Sequence, residues 1–166
     1  MRLSRPDYEA VWEFLAEVDD LTSEEPYPVD MLARLRSLVP SDQAVYQELD
    51  VDRRRFMEMS AAVPDEDDDE DEDLYWTVGP CQITDYRVRT GDLSTIRMSD
   101  VIGRQRYHDS PLYREYFLPV GFDHVLDLGP ATDRQRYRSV VLFRGHDTAD
   151  FSERDRAVLE LLRPHL

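Results

Sequence analysis

Apolar residues recur at helical spacing along residues 1–40. Ser4 and Pro6 are typical of a helix start, and one apolar stripe follows them. Its members are Tyr8, Val11, Trp12, Leu15 and Val18. A second amphipathic helix is predicted over residues 28–39, because Pro40 cannot continue it. Residues 1–40 are therefore predicted to form an N-terminal helical segment.

After Pro40 the apolar period changes from that of a helix to the alternation of a strand. Residues 43–49 and 54–63 predict two strands joined by a polar turn at residues 50–53, which suits an antiparallel hairpin. Two later segments have the same character. One alternates from Phe122 to Leu128, and the other, residues 137–144, contains the continuous apolar run typical of a central strand.

The region between these strand pairs is predicted to be mainly helical. Helices are expected over residues 74–89, 103–108 and 111–118, with a short strand at 96–101. Nine consecutive acidic residues, 65–73, cannot bury apolar surface and repel one another, so they predict a disordered loop. This order of elements predicts an α+β fold, in which helices pack on a single antiparallel sheet over residues 41–150.

Residues 151–166 predict one more amphipathic helix. Ser152 is a good N-cap, and Asp155 stands at the position that completes a capping box. No later segment covers its apolar stripe, so we expect this linker or dimerisation helix to pair with a second copy. The residues predicted to contribute to the dimer contact are Val158, Leu159, Leu162 and Leu166, together with Trp12 and Leu15 of the first helix.

The charge balance limits the partners of the chain. The formal net charge is −16, and all 20 basic residues are arginine. An acidic surface repels phosphate backbones, so the chain is not expected to bind DNA or RNA by itself. The absence of lysine excludes a Schiff-base lysine and a P-loop lysine. With no apolar run long enough for a membrane span and no signal peptide, we expect a cytoplasmic protein that makes no membrane contact.

Motifs of catalysis and metal binding are missing from the sequence. There is no G-x-S-x-G, H-E-x-x-H or G-x-G-x-x-G pattern, and we predict neither enzymatic activity nor a cofactor. The sequence His108-Asp109-Ser110 is interpreted as a polar turn, because the members of a catalytic triad meet in space rather than in sequence. The four histidines and the single Cys81 do not have metal-ligand spacing, so no metal site is predicted.

Three segments resemble the N-terminal part of actinobacterial LuxR-type transcriptional regulators. They are residues 86–92 (YRVRTGD), 112–121 (LYREYFLPVG) and 150–166 (DFSERDRAVLELLRPHL). The order of elements resembles a GAF-like sensory domain, which implies an antiparallel sheet with a ligand pocket between the sheet and its helices. In such regulators the last segment leads into a DNA-binding helix-turn-helix, and no such pattern occurs in these 166 residues.

Several aromatic residues lie where a GAF-like pocket would be covered, and aromatic walls suit a ligand of moderate size. The pocket candidates are Tyr75, Trp76, Tyr107, Tyr113, Phe117 and His124. For each aromatic residue, core packing is the alternative. For His124 the alternative, which we favour, is a half-buried histidine with satisfied hydrogen bonds. Cys81 is interpreted as a core residue, with a reactive sensor thiol as the alternative.

The sequence thus predicts a sensory and dimerisation domain of a transcriptional regulator. We expect a homodimer that binds an unknown small molecule and acts on DNA through a helix-turn-helix outside this chain. The alternative is a protein–protein interaction module without a ligand. The acidic run is interpreted as a solvated loop; imitation of nucleic-acid phosphate is a second hypothesis, and an ordered calcium site is disfavoured because the spacing of a calcium loop is missing.

Overall fold

The computed structural model describes residues 3–21, 25–63, 68–129 and 136–166, without the side chains of residues 68–71. Helices cover both faces of one antiparallel sheet, which confirms the predicted α+β class. The strands are β1 (Gln43–Asp50), β2 (Arg55–Ala61), β3 (Ile96–Arg97), β4 (His124–Leu128) and β5 (Arg136–Arg144). The helices are α1 (Arg5–Asp19), α2 (Val29–Leu38), α3 (Asp68–Val78), α4 (Gln82–Thr90), α5 (Met98–Val101), α6 (Arg104–His108) and α7 (Glu153–Leu162), with a π-helix at Leu112–Phe117 and a 3-10 turn at Arg163–His165.

The strands lie in the order β2-β1-β5-β4-β3, and every neighbouring pair is antiparallel. At the centre, β1 and β5 pair from Gln43 opposite Phe143 to Asp50 opposite Arg136. The predicted hairpin of β1 and β2 is confirmed, with a register shift after Glu48. Because side chains alternate along a strand, this sheet presents two different faces to two layers of helices.

The first face is covered by α1, α2 and α7. Leu126, Leu128, Val140 and Leu142 of the sheet form one apolar core with these helices. Tyr27, just before α2, stacks on Tyr46 of β1 with ring centroids 4.0 Å apart. This core is one of the two apolar cores that flank the sheet.

The terminal helix α7 belongs to this first core. Its capping box is confirmed: Asp155 N donates to Ser152 Oγ at 3.2 Å, and Ser152 N donates to Asp155 Oδ2 at 2.9 Å. Val158, Leu159 and Leu162 are fully buried within the chain. The prediction that these three side chains contact a second copy is therefore corrected, because the core of the same chain already buries them. Leu166 is only partly buried against the core.

Three other segments differ from the predictions. The helix expected over 74–89 is two helices, α3 and α4, because Pro80 and the left-handed Gly79 (φ 101°) break it. The strand expected over 96–101 pairs only at Ile96 and Arg97 before α5 begins. In the acidic run, residues 68–73 are helical rather than disordered, since acidic residues are favourable near the positive N-terminal end of α3. Residues 65–67 of that run lie outside the described residues.

The second face of the sheet is covered by the middle of the chain. Ile83, Leu112, Tyr113 and Tyr137 are among the buried members of a second apolar core, which also contains residues of α3, α6 and the π-helix. The helix predicted at 111–118 is confirmed in position, but its hydrogen bonds span five residues, as in Leu118 N to Tyr113 O (2.7 Å). Such π-helical turns occur frequently at functional sites. This layer contains the cavity.

Candidate functional site

A cavity of about 460 Å³ lies between the second face of the sheet and the helices that cover it. This volume is within the range of small-molecule sites. Most of the wall is apolar or aromatic. The lining residues are Asp42, Gln43, Val45, Gln47, Phe56, Met59, Ala61, Val63, Glu72, Tyr75, Cys81, Tyr116, Phe117, Val120, Phe122, Val125, Asp127, Val141 and Phe143.

Aromatic contacts hold the wall of the cavity together. Tyr75 of α3 contacts Phe56 of β2 and Tyr116 of the π-helix, with ring centroids 5.3 Å apart in both pairs. Phe143 of β5 contacts Phe117 at 5.7 Å and stacks on Phe122 at 4.7 Å. Packed aromatic pairs stabilise one another beyond the area that they bury. The cavity is therefore bounded by interlocked rings.

Tyr75 of α3 and Cys81, which precedes α4, meet at the cavity wall. The Cys81 backbone N–H donates to the Tyr75 hydroxyl at 3.2 Å. Burial raises the pKa of the Cys81 thiol to about 12, and burial also raises the pKa of Tyr75. Both groups are therefore neutral at physiological pH, and the Cys81 thiol is not an activated nucleophile. This chemistry supports the interpretation of Cys81 as a core residue.

A buried ion pair adjoins the cavity, since one of its members, Asp127, is a lining residue. Arg87 Nη2 of α4 lies 3.0 Å from Asp127 Oδ1 of β4, and both side chains are almost fully buried. Arg87 also donates to the backbone oxygens of Asp92, Ser94 and Asp127. Gly129 leaves room for the guanidinium, since a Cβ at that position would clash with Nη1. The arginine thus joins α4 to β4 and to the loop before β3.

The protonation of Asp127 is controlled by opposing effects. Burial raises the pKa of this carboxyl, whereas the charge of Arg87 and hydrogen bonds from Tyr137 and Ser139 act to lower it. Burial is the largest effect, and the pKa is raised from its ordinary value. The Tyr137 hydroxyl donates to Asp127 Oδ2 at 3.1 Å. Asp127 is therefore the most deeply buried of the three carboxylates that line the cavity.

The structure brings two of the six predicted pocket residues to the cavity. Tyr75 and Phe117 line it. Trp76, Tyr107 and Tyr113 are buried in the surrounding apolar core but are not among the lining residues. His124 lies on the opposite face of β4, where its Nε2 is 3.0 Å from the Thr148 carbonyl oxygen. That contact corresponds to the alternative of a satisfied histidine.

A second polar cluster surrounds the buried Asp123, at the start of β4. Its carboxylate accepts from Arg104 Nη2 at 2.9 Å and lies 2.5 Å from His108 Nε2. The adjoining pocket has a volume of only about 50 Å³. Ser110 Oγ donates to the Tyr107 carbonyl oxygen rather than to a histidine. This cluster ties α6 to the sheet, and its pocket has room for little more than a water molecule.

The sequence reasoning did not identify Asp127, Arg87 or Gln47 as site residues. A signal for Asp127 was present, because it stands within a short strand whose other members are apolar or histidine. A carboxylate in such a strand must find a buried partner. The partner Arg87 lies 40 positions away in the sequence, and spacing alone cannot find it.

The described residues include neither a metal-binding cluster nor a membrane-spanning helix. No group of three or more histidine, cysteine, aspartate or glutamate side chains has an arrangement that could hold a metal ion among them. No helix in these parts of the chain is long and apolar enough to cross a membrane.

Comparison with known proteins gives structural neighbours but no sequence relatives. No protein-family model matches the chain, and no curated protein matches it. The ligand-binding domain of VqsR from Pseudomonas aeruginosa is similar in structure, with a TM-score of 0.62 and 16% identity over 98% of this chain and 92% of that one. A GAF domain of an Acinetobacter phosphoenolpyruvate-protein phosphotransferase has a TM-score of 0.58 and 14% identity, over 98% of this chain and 91% of that one.

A third neighbour is CepR2 from Burkholderia cenocepacia, described as an N-acylhomoserine lactone-dependent LuxR family transcription factor. Its TM-score is 0.52 at 13% identity, over 95% of this chain and 87% of that one. At these identities the likeness concerns the fold. The five-stranded antiparallel sheet with helices on both faces is therefore a GAF-like fold, shared by this chain with GAF domains and with ligand-binding domains of regulators.

Proposed function

We propose that this chain is a sensory domain that binds a small molecule in the cavity of about 460 Å³ and transmits the signal to a DNA-binding helix-turn-helix outside the chain. The cavity is the observation that carries the proposal, because its volume and aromatic walls suit a mid-sized apolar ligand. The neighbours give independent support. One is a ligand-binding domain, and another is a lactone-dependent transcription factor. We propose no catalytic role.

A set of hydrogen bonds offers a route from the cavity to α7. Arg87, which pairs with Asp127 at the cavity wall, donates to the Ser94 carbonyl oxygen at 2.8 Å. The next residue, Thr95, donates its backbone N–H and its hydroxyl to Glu160 Oε2 of α7, at 2.8 and 2.9 Å. A ligand that shifts Asp127 would thus alter the anchoring of α7. The required coupling energy is about 1–3 kcal/mol, as in other allosteric systems.

A thermal-shift screen of small uncharged and charged metabolites tests the sensory role. A ligand at a hundred times its Kd should add about 2.7 kcal/mol of stability. Two methionines on the edge strand β2 offer a matched pair of variants, since both are 40% exposed but only Met59 lines the cavity. Met59→Trp should abolish the stabilisation by a screening hit, and Met57→Trp should preserve it.

The proposal fails if no compound of the screen stabilises the wild-type protein. It also fails if both tryptophan variants keep the stabilisation, because the compound would then bind outside the cavity. The first result would favour the ligand-free interaction module.

We further propose that the chain works in the cytoplasm as a homodimer. With the stripe of α7 buried, the candidate contact is the outer face of α1. Trp12 is 70% exposed there, and Tyr8 one turn earlier is also exposed. Leu15, one turn later, is only partly buried. Exposed aromatic side chains of this kind are enriched at protein interfaces, and the same surface favours the interaction module as the second candidate function.

A further inference from the structure

Six of the described lining residues are aromatic, and their rings form one unbroken series of contacts. Neighbouring centroids in the series lie 4.7 to 5.7 Å apart. In order, its members are Phe56, Tyr75, Tyr116, Phe117, Phe143 and Phe122. The face of an aromatic ring is negative and attracts an organic cation that lies within about 6 Å of the ring centre. The aromatic wall therefore favours a positively charged ligand over a negatively charged one.

The charged side chains of the described lining are all acidic. They are Asp42, Glu72 and Asp127, and no arginine or histidine is among these lining residues. Asp127 has a counter-ion within the protein, because Arg87 Nη2 lies 3.0 Å from its Oδ1. Asp42 and Glu72 accept hydrogen bonds from backbone N–H groups but form no ion pair with a described residue. Two negative charges of the cavity therefore have no counter-ion in the part of the chain that the structure describes.

Glu72 lies at the end of the ring series that begins with Phe56. It is half-buried and stands three residues before Tyr75 on α3, so the two side chains share one face of that helix. Its Oε1 accepts from the Phe56 backbone N–H at 2.6 Å. Arg55, the residue before Phe56, is exposed and is not among the lining residues. A carboxylate without a counter-ion thus adjoins the first rings of the series.

We propose that the cavity takes a hydrophobic cation, whose positive charge lies between Glu72 and the first rings of the series and whose apolar body fills the remaining volume. This inference rests on the proposed sensory function, since it concerns the same cavity, and it adds the charge and chemical class of the ligand. An anion of the same size would be repelled by both unpaired carboxylates. The net charge of −16 also raises the concentration of cations near the protein.

Three phenols test the charge of the ligand in the wild-type protein. Each has a two-carbon arm in the para position, and the arm ends in trimethylammonium, tert-butyl or sulfonate. The first two end groups have nearly the same shape, so the two compounds differ mainly in charge. The sulfonate reverses that charge. Isothermal titration calorimetry at low and at physiological salt measures the Kd of each compound.

The trimethylammonium compound should bind at least about tenfold more tightly than either of the others, because ring faces and carboxylate attract its charge together. Its affinity should fall as the salt concentration rises, whereas that of the tert-butyl compound should not. Equal or tighter binding of the tert-butyl or the sulfonate compound would overturn the inference and leave the cavity as a ligand site. If none of the three binds, the inference is overturned, and the metabolite screen judges the sensory function separately.

Two neighbouring substitutions on α3 locate the positive charge. Glu72→Gln removes one negative charge but keeps an oxygen that accepts the Phe56 N–H. Asp73→Asn removes the same charge at an exposed position outside the lining. Glu72→Gln should weaken the trimethylammonium compound at least about tenfold and leave the tert-butyl compound unchanged. Asp73→Asn should change neither Kd by more than about twofold. Equal weakening by both substitutions would indicate a general effect of net charge and overturn the role of Glu72.

Phe56→Leu tests the contribution of the rings. It keeps an apolar side chain and the backbone N–H that holds Glu72, but it removes one aromatic face. The preference for trimethylammonium over tert-butyl should fall at least about threefold, while circular dichroism and urea denaturation verify that the variant folds. An unchanged ratio of the two affinities in the folded variant would overturn the role of this ring.

Discussion

One buried ion pair joins the cavity to the elements around it. Arg87 contacts Asp127 and three backbone oxygens, and the exposure of both side chains is close to zero. Such a pair is weak evidence for net stability, since desolvation offsets the Coulomb attraction. Removal of one partner alone is strongly destabilising, because it leaves an uncompensated buried charge.

Arg87→Met should therefore lower the free energy of unfolding by about 3–5 kcal/mol, as measured by urea denaturation. The control is Arg5→Met, whose exposed pair with Glu9 should contribute less than about 1 kcal/mol. The double variant Arg87→Met, Asp127→Leu should recover most of the loss. A loss in the double variant as large as in the single one would show that packing, rather than unpaired charge, causes the effect.

The Cys81 thiol is a second single-residue test. Burial, with a further contribution from Asp127, raises its pKa to about 12. Since the thiolate is the reactive form, alkylation at pH 8 should be at least about a hundredfold slower in the folded protein than in urea. Mass spectrometry of the iodoacetamide adduct measures both rates. Similar rates in the two states would revive the alternative of a reactive sensor thiol.

At the scale of the element, α7 is part of the core rather than a free connection. Leu159 is fully buried, whereas Leu161 on the same helix is only partly buried. Leu159→Ala should cost about 2–5 kcal/mol of unfolding free energy, and Leu161→Ala should cost clearly less. Urea denaturation compares the two. Equal losses would contradict the packing described for this helix.

The anchor of α7 on the loop before β3 should depend on pH. Burial acts to raise the pKa of Glu160, but hydrogen bonds from Thr95 and Arg163, together with the Arg163 charge, outweigh it and lower the pKa below the ordinary 4.5. The folded state thus binds this proton at a lower pH than the unfolded state. The stabilisation is complete above pH 4.5 and is lost as the pH falls through the lowered pKa.

Glu160→Gln should therefore be less stable than the wild type at pH 7, and the difference should shrink as the pH falls below 4. Urea denaturation at several pH values measures it. Glu115→Gln, at an exposed position of the π-helix, serves as the control and should follow the wild-type curve. A difference for Glu160→Gln that stays constant down to pH 3 would contradict the role of the carboxylate.

At the scale of the whole molecule, the proposed dimer depends on a surface and not on the core. Trp12→Glu on α1 should convert a dimer into a monomer without loss of folding, as followed by analytical ultracentrifugation and circular dichroism. Val88→Glu is the matched control, because Val88 is 60% exposed on α4 and has no assigned contact role. A wild-type protein that remains monomeric at high concentration, or equal effects of the two variants, would contradict the α1 interface.

Local patterns were sufficient to predict most of the elements. The apolar spacing of α1 and α2, the alternation in β1 and β2, and the capping box at Ser152 are properties of a few neighbouring residues. The α+β class follows from their order. The helical state of residues 68–73 was missed, because their acidic composition favoured a loop. The break at Gly79-Pro80 was missed, because one continuous helix was predicted over residues 74–89.

The sequence by itself determined that α7 has an apolar stripe and that the middle of the chain is rich in aromatic residues. Only the tertiary structure decided what each meets: the stripe of α7 is covered by its own sheet, and Tyr75 and Phe117 face a cavity while Trp76 and Tyr113 do not. The pairing of Arg87 with Asp127 likewise depends on strands and helices distant in sequence. The physical reason is that periodicity records which residues avoid water, whereas packing between distant segments selects their partners.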